Sequence, residues 1–136
     1  MCPSYTIKRL CSLHKRALRL VSDVHTEQSE VLYERLHILP PKKRFLFNKA
    51  KFIHKILHHN APSYLTNLFK SAGRHSKRLK NIFLPKPKIG IFMKSLSYSG
   101  VHLWNSLPFN LKTKVSPYSF NRQVFYYLLK SDYKPP

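Results

Sequence analysis

The sequence predicts an all-α fold: about six short-to-medium helices packed as an irregular bundle, with one extended, basic, proline-containing arm. Three observations lead there. Apolar residues recur at helical spacing in successive segments. Helix-start signals (Pro40-Pro41, Pro62-Ser63, Ser116-Pro117) stand where those segments begin. Residues 98–108 gather Val101, Leu103, Trp104 and Leu107, with the chain's one tryptophan, into a stretch that must be buried.

In order along the chain, Ser4 is placed to cap a helix running to about Val21. Ile7, Leu10, Cys11, His14, Ala17, Leu18 and Val21 fall in an arc of roughly 120°, the width of a core-facing stripe. Lys8, Arg9, Lys15, Arg16 and Arg19 occupy a separate arc, a cationic face open to phosphates. Residues 27–36 form a short helix with Val31, Leu32 and Leu36 inward. Its carboxylates are placed to pair with the first helix, each exposed pair contributing about 0–1 kcal/mol. Pro40-Pro41 stops the chain and starts the next helix, over residues 42–59. Phe45, Leu46, Ala50, Phe52, Ile53, Ile56 and Leu57 give that helix a broad apolar face, with Lys51, His54, Lys55 and His58 on the other. His54 and His58 stand four apart, a spacing that suits zinc. A metal centre needs a third ligand, and the neighbouring sequence offers neither acid nor cysteine, so they read as polar-face histidines.

Asn60-Ala61-Pro62 breaks the pattern, and a helix of one or two turns follows through Tyr64, Leu65, Leu68 and Phe69. The arm covers about residues 70–95 and carries Lys77, Arg78, Lys80, Lys86 and Lys88 around Ile82-Phe83-Leu84, with Pro85-Lys86-Pro87 stiff and extended. Cations alternating with aromatic residues on such a segment suit phosphate contact and base stacking. Trp104 then anchors the core, Asn105 takes the left-handed conformation that ends its helix, and Pro108 forbids continuation with Leu107 buried before it. From Ser116-Pro117 a final helix presents Phe120, Val124, Tyr127 and Leu128 on one face and ends near Lys130, leaving residues 133–136 to fray.

Charge narrows the function. The 136 residues fit a single domain, and at 43% hydrophobic and 13% aromatic the chain has the means to fold. Against 25 lysines and arginines stand 5 acids, a net +20. The acids are Asp23, Glu27, Glu30, Glu34 and Asp132, so residues 35–131 carry no carboxylate side chain. Such a run cannot neutralise itself, and a polyanion is the expected partner: RNA or DNA, bound non-specifically through phosphates. Catalysis is not expected. Two-metal chemistry needs clustered carboxylates, Gly73, Gly90 and Gly100 make no phosphate loop, and His75 and His102 lack an acidic partner nearby in sequence. No cofactor or metal site is implied. Cys2 and Cys11 cannot build a disulfide framework, and no apolar run reaches membrane-spanning length, so an intracellular location, nuclear or cytoplasmic, is expected. Residues 1–22, with five cations and no acid, also fit a mitochondrial transit peptide.

Several elements recur together in a known family. Leu84-Pro85, Ser97-Tyr98-Ser99-Gly100, Leu103-Trp104-Asn105-Ser106-Leu107-Pro108, then Ser116 and Phe120, follow the basic helix at Leu10-Cys11-Ser12-Leu13-His14-Lys15-Arg16 and the run Asn60-Ala61-Pro62-Ser63-Tyr64-Leu65. This order and spacing resembles the C-terminal, post-thumb region of reverse transcriptases from LINE-type, non-LTR retrotransposons, especially the chicken-repeat and jockey-like clades. The resemblance implies descent from an RNA-directed DNA polymerase whose full-length form also carries an endonuclease. The family's palm with its paired aspartates, its endonuclease and its Cys/His knuckle have no counterpart here, so no catalytic residue carries over. The expected function is a non-catalytic nucleic-acid-binding fragment, one of whose partners is the polymerase thumb. The alternatives are a structural component of a mitochondrial ribonucleoprotein and a degenerate element without function.

Overall fold

The computed structural model describes residues 4–23, 28–58, 61–70 and 80–131. Among them lie eight α-helices: α1 (Ser4–Ser22), α2 (Ser29–Arg35), α3 (Pro41–His58), α4 (Ser63–Thr66), α5 (Gly90–Met93), α6 (Val101–Ser106), α7 (Phe109–Lys112) and α8 (Pro117–Lys130). A π-helical turn, Leu96–Gly100, leads into α6. The all-α expectation is met, with more and shorter elements than the expected six because α4, α5 and α7 are single turns. Glu27, Asp132, Cys2, Arg74, His75, Lys77, Arg78 and the predicted fraying end lie outside the described residues.

Helices α3 and α8 run antiparallel at the centre. Lys43 Nζ donates to the Leu129 carbonyl at 3.0 Å, the Phe47 and Phe125 rings meet edge-on at 6.0 Å, and the His54 ring stacks on Phe120 at 4.0 Å. Leu46, Ala50, Ile53 and Ile56 of α3 and Phe120, Val124 and Leu128 of α8 close around Val101, Leu103 and Trp104 of α6. Each such large side chain taken fully from water contributes about 1.5–3 kcal/mol. Gly100 packs closely against α3: a Cβ there would lie 2.8 Å from Ile53 Cδ1 and 3.1 Å from Leu96 Cδ1.

Helix ends follow local chemistry. Asp23, at φ 52°, ends α1 in the left-handed region that a short polar residue tolerates. His37, at φ 51°, closes α2 in a Schellman arrangement, its N–H donating to the Glu34 carbonyl and that of Ile38 to Tyr33. Pro41 and Pro117 open α3 and α8, where a missing N–H costs nothing. Ser116 holds the N-cap position of α8 without a side-chain hydrogen bond, and Ser4 is the first residue of α1 instead of its cap.

Three predicted faces are corrected. On α1 the seven-residue stripe narrows to Ile7, Cys11, His14 and Leu18, because among the described residues α1 packs chiefly on α2 and α3; Leu10, Ala17 and Val21 face outward, Val21 being 81% exposed. On α2, Leu32 and Tyr33 are buried while Val31 is exposed and Leu36 half-buried, since the Tyr33 hydroxyl reaches His14 Nδ1 at 2.9 Å and their rings stack. On α3 the buried face is rotated toward Phe47 and His54, the side on which α8 packs. Phe45, Phe52 and Leu57 are left exposed, and His54, expected on the polar face, is only 2% exposed. Its Nε2 donates to the Lys114 carbonyl at 2.6 Å, which supplies the partner a buried imidazole requires.

Candidate nucleic-acid interface

The described part of the arm is fastened to the bundle at residues 80–82. The Trp104 indole N–H donates to the Lys80 carbonyl at 3.0 Å. The Asn105 amide grips Ile82 from both directions: Nδ2 donates to its carbonyl and Oδ1 accepts from its N–H, both at 2.9 Å. Lys112 Nζ donates to Asn81 Oδ1 and to the Asn105 carbonyl, both at 2.8 Å. Ile82 itself enters the core at 3% exposure. Asn105 therefore does not end its helix in a left-handed conformation, as its position before Pro108 suggested. Helix α6 continues through Ser106, Leu107 turns extended ahead of the proline, and the Asn105 amide imitates a β-partner for residue 82. Trp104 and Leu107 are buried as expected, and exposed Pro108 leads into α7.

That clamp sets where the predicted cations sit. Lys80, Lys86 and Lys88 are exposed on the arm, with Lys80 itself at φ 51° where the chain turns into the clamp. On α1, Lys8, Arg9 and Arg16 are exposed, and the Arg9 guanidinium lies 5.8 Å from the Tyr5 ring centroid. Lys15 is half-buried and reaches Glu30 at 3.8 Å. Arg19 is half-buried, its Nε enclosed without a hydrogen-bond partner. Lys77 and Arg78 fall outside the described residues. Among the described residues the two groups rest on different elements: α1 on α2 and α3, the arm on α6 and α7.

Two lysines leave the inventory of phosphate-facing cations. Lys112 is 4% exposed, and half-buried Lys49 donates to Ser99 Oγ at 2.9 Å. Sequence reasoning missed Lys112, since a lysine in a basic chain reads as solvated and only the three-dimensional meeting of Asn81 and Asn105 marks it. Burial lowers the pKa of both ammonium groups below the ordinary lysine value. Each holds its proton less tightly in the folded chain than in the unfolded one, so both make stability rise as pH climbs toward about 10.4. Tyr33 opposes this only above about pH 10, because burial chiefly, then Cys11 and Glu30, raise its pKa. Urea melts at about pH 8 and about pH 9.5 should show wild type gaining more stability over that interval than Lys112→Met. Equal gains would remove Lys112 from the account.

Among the described residues no group of three or more histidine, cysteine or acidic side chains could hold a metal ion. None of their helices is long and apolar enough to cross a membrane. No family model, no curated protein and no solved structure matches the chain.

Proposed function

We propose that the chain is a non-catalytic module that binds RNA or DNA through phosphates without sequence preference, derived from the post-thumb region of a LINE-type reverse transcriptase. The observation that carries the binding is the carboxylate-free run of residues 35–131, whose exposed lysines and arginines have no acid in that run to neutralise them. Attraction of this kind releases counterions and therefore depends on salt. Descent from such a polymerase rests on the ordered motifs ending in Trp104-Asn105-Ser106-Leu107-Pro108. It also gives the outward apolar residues of α1 (Leu10, Leu13, Leu20 and Val21) a neighbour, the polymerase thumb. A nuclear or cytoplasmic location follows from that origin.

Fluorescence anisotropy with labelled oligonucleotides tests the binding. Affinity should fall at least about ten-fold between about 50 and 200 mM salt and stay level across unrelated sequences. Absent or salt-indifferent binding would overturn the proposal. Reverse-transcriptase coding sequence directly upstream in the genome is the expected sign of origin. Cleavage of the mature chain near Val21 or Ser22 would favour the mitochondrial alternative instead.

A further inference from the structure

We propose that the groove between α3 and α8 is a base-stacking channel that takes a single-stranded nucleic acid; this rests on the nucleic-acid reading and names the form of the ligand. The groove is distinct from the cationic face of α1 and from the arm. Phe47, Tyr118, Asn121, Arg122, Phe125 and Tyr126 line a hollow of about 390 Å³. Asn121 is shared with an adjoining hollow of about 290 Å³, bordered by Lys51, His54, Lys55 and Pro117. Because the helices are antiparallel, positions 47, 51 and 55 on α3 face positions 125/126, 121/122 and 117/118 on α8. The two hollows meet at Asn121, which lines both. From Phe47 to Lys55 the α3 side measures about 12 Å.

Aromatic rings and cations alternate along this groove. The Arg44 guanidinium and the Lys51 ammonium lie 5.4 Å and 5.3 Å from the Phe47 ring centroid. Phe125 is braced edge-on by Phe47 at 6.0 Å and by Tyr126 at 5.7 Å, and Tyr126 by His37 at 6.2 Å. These near-perpendicular contacts fix ring orientation at no binding-time entropy cost. Tyr118 and Tyr126 nonetheless stay open to solvent, Tyr118 at 76% exposure. Among the described residues no acid lines either hollow. Charge complementarity thus selects a polyanion, and the exposed rings select unpaired bases: every base has a face to stack, whereas a duplex keeps its bases stacked on one another. Asn121 adds an amide able to donate to or accept from a base edge.

The test uses the full chain and two labelled probes of equal length, an oligo-uridylate and a DNA duplex. Wild type should prefer the single strand. Tyr118→Ala/Tyr126→Ala should weaken single-strand binding about ten-fold or more while duplex binding and its salt dependence stay unchanged. Tyr118→Phe/Tyr126→Phe, which keeps the stacking surface, should bind as wild type. Equal single-strand affinity in wild type and the alanine pair would overturn the groove and leave the phosphate-binding reading standing. Failure of wild type to bind either probe would overturn both. Sedimentation of wild type as a dimer, lost in the alanine pair, would assign the groove to a second copy and overturn the proposal.

Discussion

Trp104→Ala should lower the unfolding free energy by about 3–5 kcal/mol, read from urea melts followed by helical circular dichroism. The indole is fully buried, tilted against Phe120 at 5.8 Å and His54 at 6.4 Å. Truncation removes that packing and leaves a cavity at the junction of α3, α6 and α8, which neighbouring side chains can only partly fill. A second loss adds to the first, because the Lys80 carbonyl forfeits its indole donor. Trp104→Phe separates the two: most of the volume stays and the N–H goes, so its cost should be well under that of alanine. Domains of this size have about 5–15 kcal/mol in total. The alanine variant should therefore lose between about a fifth and the whole of that margin. A loss below about 1 kcal/mol would mean that the core does not close on this residue.

Which parts of this fold were legible in sequence follows from what determines each. Helix positions depend on local signals, and Pro41, Pro117 and the periodicity of α8 placed their elements within a residue or two. The buried face of a helix depends on its neighbour. Phe45 and Phe52 share the helical spacing of core residues, yet α8 packs on the side of Phe47 and His54, and nothing local to α3 says so. The apolar breadth of α1 had the same ambiguity: seven residues can face one way, but two neighbours cover only the line through Ile7, Cys11, His14 and Leu18. Buried polar groups were the least legible. His54 and Lys112 are inside because a backbone carbonyl or an asparagine amide from far along the chain meets them there. The acid-free run was fully legible, and so were the exposed cations Lys8, Arg9, Arg16, Lys80, Lys86 and Lys88. The α3–α8 groove was not: its rings and cations come from segments some seventy residues apart, and only the antiparallel pairing lines them up.

Asn105→Ala should be the most damaging polar substitution, costing about 2–4 kcal/mol, because it leaves two backbone groups of Ile82 without partners at once. Ile82 is nearly fully buried, so water cannot replace the amide without dragging the side chain out of the core. The damage should therefore divide into a local part and a global part. If residues 80–84 detach while α3, α6 and α8 hold, the Ile82 amide should exchange with solvent at least about thirty-fold faster than in wild type, with α8 amides changed far less. Asn105→Asp distinguishes the two bonds. A carboxylate still accepts from the Ile82 N–H but sets negative charge against the Ile82 carbonyl, so half of the clamp is lost and the other half strengthened by charge. Its cost should fall between wild type and alanine, helped by the Lys112 ammonium held close by on the Asn105 carbonyl. Should the aspartate variant prove as stable as wild type, the donation to the Ile82 carbonyl would carry none of the energy, and the arm would be held by the Ile82 N–H bond to residue 105, by Trp104 and by Ile82 burial.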